Sequence, residues 1–226
     1  MAKITWDDTG KRFYETGVDR GVLYPLKSDG TYDKGVAWNG LTSVSESPEG
    51  AEPTDLWADN IKYATLYSAE TFGGTIEAYT FPDEFAKCDG SYTPVDGVYF
   101  GQQERQAFGF CYRTKVGNDV GLDSYKLHLI YNAKASPSEK SYETVNDSPD
   151  AITMSWEITT VAVPVVGKDD LKPLSTIIID KSKLDSDGLT ALATLEDTLY
   201  GTNAGDNVTA TEPTLPTPAQ VLAMFK

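Results

Sequence analysis

Apolar and polar residues alternate with period two through much of the chain. Over residues 105–116, Ala107, Gly109 and Cys111 fall on one side and Phe108, Phe110 and Tyr112 on the other. Over residues 124–133, Tyr125, Leu127, Leu129 and Tyr131 share a side. Over residues 151–163, Ile152, Met154, Trp156 and Ile158 face one way, and Thr153, Ser155, Glu157 and Thr159 the other. Successive side chains of a strand point to opposite faces, so each run predicts a strand with one face on a core. Gly117-Asn118-Asp119 and Gly121 separate the first two runs and predict a hairpin. Further strands are expected at 21–26, 35–38, 41–46, 61–67 and 74–81. A buried one is expected at 174–179, where three isoleucines run together. Asp29-Gly30 marks a turn, and Asn39-Gly40 a tight hairpin turn or a bulge. Phe81-Pro82-Asp83-Glu84-Phe85 ends a strand and opens one helical turn, with Pro82 at its first position.

The period changes near the end of the chain. Leu189, Leu192, Leu195 and Leu199 form one stripe at helical spacing and predict a helix over 187–200. Ser186 or Asp187 can cap it, and Gly201 can end it in a left-handed turn. Thr217-Pro218-Ala219-Gln220 reads as a capping box with Pro in the first turn, opening a short helix that carries Val221, Leu222 and Phe225. Three segments lack either period. Residues 1–20 are polar with scattered aromatics and read as an N-terminal arm. Residues 44–58 form an insert rich in Glu, Pro, Ser and Gly, with Trp57 at its far end. Residues 202–216 read as an extended linker. Inserts of that length are usually functional or mobile. The order predicts a mainly β fold, an antiparallel β-sandwich or partly closed barrel with a flanking α-helix and extended arms. The expected organisation is an arm (1–20), a β domain (21–201) with its insert and helix, and a C-terminal linker and short helix (202–226).

Composition narrows the function. The 226 residues are 40% hydrophobic and 11% aromatic, enough for a real core, and the formal charge is −15. That balance argues against a nucleic-acid surface, which needs a basic stripe, and against docking on an anionic membrane. Residues 1–20 have no apolar signal core, and no run approaches a membrane span. Cys88 and Cys111 do not make a disulfide framework and read as free thiols in a reducing compartment.

Catalytic constellations are not evident. His128, the only histidine, lies mid-strand opposite in phase to Leu127 and Leu129, and reads as a solvated or hydrogen-bonded strand residue rather than a general base. One His and two separated Cys cannot supply a common metal site. Asp119, Asp123 and the 29–33 loop offer oxygen ligands but lack EF-hand spacing. Asp7-Asp8 and Asp169-Asp170 read as solvated turns, and Gly73-Gly74 lacks the Lys and Ser/Thr of a phosphate loop. Arg113 and Lys115 share a strand face but read as ordinary surface. The expectation is a protein that is not an enzyme, with no cofactor and no metal.

Binding or assembly remains. Trp38, Trp57, Tyr63, Tyr67 and Phe72 cluster around the insert, and core packing accounts for most of them. Trp57, in a polar setting, is the best candidate for an intersubunit contact, since interfaces favour Trp and Tyr. The arm (Trp6, Phe13, Tyr14), the insert (Glu46, Glu49, Glu52, Leu56, Trp57) and the C-terminal helix (Val221, Leu222, Phe225) are the candidate contact residues. Each segment carries groups that a neighbouring copy could cover. The alternative is a β-sandwich that binds carbohydrate through exposed aromatics.

Several segments in order carry a resemblance. Residues 35–80 read GVAWNGLTSVSESPEGAEPTDLWADNIKYATLYSAETFGGTIEAYT. There follow Phe81-Pro82-Asp83-Glu84-Phe85, Gly101-Gln102-Gln103, Ser136-Pro137-Ser138-Glu139-Lys140 and Asn146-Asp147-Ser148-Pro149. In that order the chain resembles the major tail proteins of long-tailed bacteriophages, the subunits of the tail tube. The resemblance implies β-sandwich or barrel subunits with a flanking helix, joined as hexameric rings around an inner β-barrel. It implies stacking into a hollow tube that holds the tape-measure protein and later passes DNA without specific binding, and contacts with tail-tip and tail-terminator proteins. A non-contractile, siphovirus-like tail is favoured. The implied place is the virion, after assembly in the host bacterial cytoplasm. The insert 44–58 would reach an adjacent ring, the helix 187–200 would pack outside the barrel, and the ends would bridge subunits. The acidity would then keep a DNA-passing lumen from sticking to phosphates.

Overall fold

A computed structural model describes residues 3–142, 144, 150–168, 170–204 and 210–226. The Asn146-Asp147-Ser148-Pro149 segment and Asp169 lie outside these residues.

The strands are β1 (Phe13–Pro25), β2 (Val36–Trp38), β3 (Leu41–Glu46), β4 (Glu49–Gly50), β5 (Pro53–Ala58), β6 (Ile61–Tyr67), β7 (Glu70–Thr71), β8 (Gly73–Ala78), β9 (Tyr92–Val95), β10 (Val98–Phe100), β11 (Phe108–Asn118), β12 (Asp123–Ala135), β13 (Met154–Thr160) and β14 (Thr176–Asp180). The helices are α1 (Ser186–Tyr200) and α2 (Pro218–Met224). One large antiparallel sheet runs β2-β1-β11-β12-β13-β8-β3, with β14 branching from β12. Residues 126–130 of β12 pair with β14, and residues 133–135 pair with β13. Between the two sets, Asn132 adopts φ 48° and Tyr32 Oη accepts its backbone N–H at 3.0 Å. The strand thereby bends and changes neighbour.

The two ends of this path, β2 and β3, are joined only by Asn39-Gly40. The sheet must therefore curl until its ends meet. The result is a partly closed barrel, since no ladder joins β2 to β3. Asn39-Gly40 is a connection across that gap, not a hairpin turn between paired strands.

Two cores lie on opposite faces of the central strands. The inner one holds Leu23, Ile76, Phe108, Phe110, Trp156 and Ile158. Phe85, in a 3-10 helix at Asp83–Lys87, packs into it, with ring centroids 4.5 Å from Trp38 and 5.2 Å from Trp156. Pro82 precedes that helix as its N-cap, one place earlier than expected. The outer core joins Cys111, Leu127, Leu129 and Tyr131 to Leu192, Leu195 and Leu199 of α1 and to Leu215 and Val221. The predicted phases of β11 and β12 thus sort residues between the two cores as the alternation required.

Some boundaries and faces differ from expectation. Phe13 to Arg20 is not a free arm: it is the first half of β1, laddered to β11 from Phe13↔Asn118 onward. Residues 44–58 are not aperiodic, since they contain the end of β3, β4 and all of β5. Asp185, rather than Ser186 or Asp187, caps α1, accepting from the Gly188 N–H at 2.8 Å. Leu189 is exposed in the first turn, beyond the edge of the core, and Ala191 is buried instead. Ile178 is exposed although Ile179 is buried, because β14 has one face on the outer core. Ile152 lies before β13 and is exposed.

The capping box of α2 is present as predicted, between Thr217 and Gln220. The segment before it is stitched to the body. Gly35 N–H donates to the Pro213 carbonyl at 2.8 Å, Thr214 N–H to the Thr198 carbonyl at 2.9 Å, and Tyr131 Oη to the Pro216 carbonyl at 3.1 Å. Leu215 supplies an apolar anchor that the linker reading missed.

Candidate assembly surface

Strands β5 and β6 form a two-stranded hairpin outside the large sheet. Asp59 and Asn60 close it with φ 50° and 62°. Two positive φ values in a two-residue loop match the right-handed twist of the strands, and Asn and Asp tolerate that region best. The short β4–β7 pair continues the stem toward β3 and β8. Lys62 Nζ lies 2.7 Å from Asp55 Oδ1, which also accepts from Thr65 Oγ1 at 2.9 Å.

The register places Leu56 opposite Ala64 and Thr54 opposite Leu66 on one face, and Pro53 opposite Tyr67 and Asp55 opposite Thr65 on the other. Both faces carry uncovered apolar groups: Trp57 is 68% exposed, Tyr63 72% and Tyr67 71%, and Leu56, Ile61 and Leu66 are exposed too. An isolated two-stranded hairpin is at best marginally stable in water, because it has no third layer to bury its side chains. This one projects with neither face covered.

A second exposed hairpin, β9–β10, turns at Asp96-Gly97 and leaves Tyr92, Val95, Tyr99 and Phe100 exposed. Near the N-terminus, Trp6, Phe13 and Tyr14 are exposed. The segment before β1 is tied to the β11–β12 turn: Gly10 N–H donates to Asp119 Oδ1 at 3.0 Å, and Asn118 Nδ2 to the Gly10 carbonyl at 3.0 Å. Lys183 Nζ sits 5.1 Å from the Phe13 ring centroid.

The candidate residues therefore fall into three groups. Glu49, Glu52, Leu56 and Trp57 share the projecting stem and hairpin. Trp6, Phe13 and Tyr14 lie along the start of the chain, and among the described residues no hydrogen bond or ion pair links them to the hairpin. Val221 is buried in the outer core, with Phe225 packed against it and Leu222 half-buried. Val221 is thus already covered by its own chain.

Glu46 stands at the root of the stem and faces inward. Its Oε1 accepts from Tyr112 Oη at 2.6 Å and lies 3.1 Å from His128 Nδ1. His128 is buried, its ring stacks on Tyr112 at 4.5 Å, and its Nε2 is 3.0 Å from Thr114 Oγ1. Glu15 bonds Thr114 and Lys126 beside it. The hydrogen bond from His128, then that from Tyr112, hold the Glu46 carboxyl below the usual range against the opposing effect of burial. For Glu15, burial pushes upward but is outweighed by Lys126 and Thr114, so it too lies low. This is the hydrogen-bonded reading of His128, with partners that sequence reasoning did not name.

Of the five aromatics expected mostly in the core, only Trp38 is buried and Phe72 packs against the inner core; Trp57, Tyr63 and Tyr67 are exposed. Sequence reasoning missed the hairpin's second strand as contact surface and β9–β10 altogether. Asp59-Asn60 and Asp96-Gly97, each between short apolar runs, were the available signals. Cys88 and Cys111 are free and buried, and burial pushes both thiols up to about 12. Among the described residues, no group of three or more His, Cys, Asp or Glu is placed to hold a metal ion. Among them, too, no helix is long and apolar enough to cross a membrane.

No protein-family model matches the chain, and no curated protein matches it. Among solved structures, the chain is similar to one described as the cryo-EM structure of the anti-feeding prophage (AFP) baseplate, 6-fold symmetrised. That match covers 80% of this chain and 100% of the other, at 9% identity and a TM-score of 0.36. A likeness at that level sets neither family nor function.

Proposed function

We propose that this chain is a structural subunit that assembles with copies of itself, and specifically a phage tail protein of the tail-tube kind. The observation that carries the assembly reading is the β5–β6 hairpin, which holds apolar side chains bare on both faces. Each exposed aromatic forfeits roughly 1.5–3 kcal/mol of burial free energy. A neighbouring copy laid against either face recovers it. The exposed β9–β10 hairpin and the aromatics of β1 add surface of the same kind. Among the described residues β14 pairs only with β12, and its other edge offers backbone groups to another strand. The tail-tube assignment rests on the sequence resemblance. With it come stacked hexameric rings, a lumen for DNA, and tape-measure, tip and terminator partners.

The test is assembly state. Purified protein should form rings or tubes by negative-stain microscopy, and light scattering should show mass rising with concentration. Trp57→Ala should raise the concentration needed by about tenfold, the scale of one lost interface anchor, while far-ultraviolet circular dichroism stays unchanged. A protein that stays a compact monomer at high concentration overturns the proposal. If that monomer also binds a glycan and loses binding with Trp57→Ala, sugar recognition replaces it.

A further inference from the structure

We infer that a bound proton fastens the root of the projecting stem: the network of Glu15, Thr114, His128, Glu46 and Tyr112 closes only when it holds one proton more than two carboxylates, two hydroxyls and a neutral imidazole bring to it. The inference is independent of the assembly reading above.

The network joins two walls of the barrel. At the level of His128, β12 is laddered to β11 and β14, and it meets β13 only at residues 133–135. Glu46 ends β3, which among the described residues is laddered to β8 alone. The Glu46 carboxylate crosses from that wall to Tyr112 and His128 on the other. The next residue, Ser47, donates its N–H to the Gly73 carbonyl at 2.8 Å, where the stem begins. Holding Glu46 therefore holds the root of the stem.

The protons can be counted. The network has four contacts: Glu15 with Thr114, Thr114 with His128 Nε2, His128 Nδ1 with Glu46, and Tyr112 with Glu46. Each contact needs one hydrogen between its two heavy atoms. An ionised carboxylate brings none, a hydroxyl one and a neutral imidazole one. Thr114, Tyr112 and a neutral His128 thus bring three protons to the four contacts. One pair would be left lone pair against lone pair in a half-buried site, which is costly. A fourth proton removes the conflict.

The imidazole ring is its place. Both carboxyls lie below their usual range, Glu15 through Lys126 and Thr114, and Glu46 through His128 and Tyr112. A ring protonated on both nitrogens donates to Glu46 and to Thr114, whose own proton goes to Glu15. Its charge also stacks on the Tyr112 ring, 4.5 Å away. Burial of the ring opposes the charge, and Glu46 at 3.1 Å and Glu15 at 3.8 Å offset it. Two carboxylates then face two cations, His128 and Lys126. On β14, Asp180 pairs in register with Lys126 and is engaged by Ser182. The closed network binds one proton more than the open one, so closure weakens as pH rises.

His128 is the only histidine, so long-range proton–nitrogen NMR spectra of the full chain read its ring without overlap. At pH 7 the two ring nitrogens should be alike, both protonated. Thr114→Val removes the acceptor at Nε2 and leaves as many protons as contacts, so at the same pH the two nitrogens should differ. Amide exchange at residues 46–47 and 73–75, corrected for the intrinsic rate, should speed up by about tenfold between pH 6 and pH 9, the scale of one lost hydrogen bond. His128→Gln should abolish that dependence. Unlike nitrogens in the parent at pH 7 overturn the inference, and so does exchange at the root of the stem that ignores pH.

Discussion

At the scale of single residues, Glu46 joins the base of the stem to the central strands. Its carboxyl is depressed by His128 and Tyr112, so its contribution to stability is complete above the ordinary glutamate value, about 4.3, and is lost as pH falls through the lower folded value. Glu46→Gln should therefore cost about 1 kcal/mol at pH 7, a charged hydrogen bond discounted for partial exposure, and almost nothing in strong acid. Urea midpoints of parent and variant at both pH values check this; parallel curves across the range would refute it. The strand phase of His128 was legible, since it alternates with Leu127 and Leu129. Its partners were not: Glu46 lies 82 positions away in sequence, and only the long-range register of β3 brings it close. Gly109 makes a related point. A Cβ there would stand 2.9 Å from Tyr32 Cε1 and would also strike Leu215. Gly109→Ala should destabilise the fold by about 1–3 kcal/mol, measured by chemical denaturation.

Among elements, the hairpin was the hardest to read. Strands are recognised by alternation between a wet and a dry face, and β5 has no dry face in the single chain. Glu, Pro and Ser in residues 44–53 further mask the pairing. In contrast, β11, β12 and β13 were plain, because each buries residues against a core that the same chain supplies. Helix α2 was plain too, since its capping box is entirely local; its docking through Leu215 was not, because one leucine in a polar stretch has no period. The turn offers a direct test of the hairpin. Asn60→Gly should preserve it, as Gly accepts positive φ freely, whereas Asn60→Val should disrupt it. Amide exchange of residues 54–66 reads the difference, with β11 and β12 unchanged in both variants.

For the whole molecule, stability is unevenly distributed. The two cores enclose the central strands, while the stem and β9–β10 have few buried contacts. Local opening should therefore be cheap there. In dilute solution the amides of β5 and β6 should exchange fast and those of β11 and β12 slowly; on assembly, only the former should slow markedly. Equal protection before and after assembly would place the contact surface elsewhere. The fold class was legible because the order of strands, then a helix, then a capped tail leaves few architectures. The curl was not, since no local signal says that β2 and β3 occupy opposite rims. That two-residue link has a consequence during synthesis. Apart from its three-residue pairing with β2, β1 finds its long ladder only when β11 emerges, and β3 its own only when β8 does, with β8 in turn braced by β13. At about 5–20 residues per second on a ribosome, the first strands wait seconds with sticky borders uncovered. The barrel is a late-closing one, and its yield in a cell rests on whatever shields the nascent amino-terminal third until Thr160 is made.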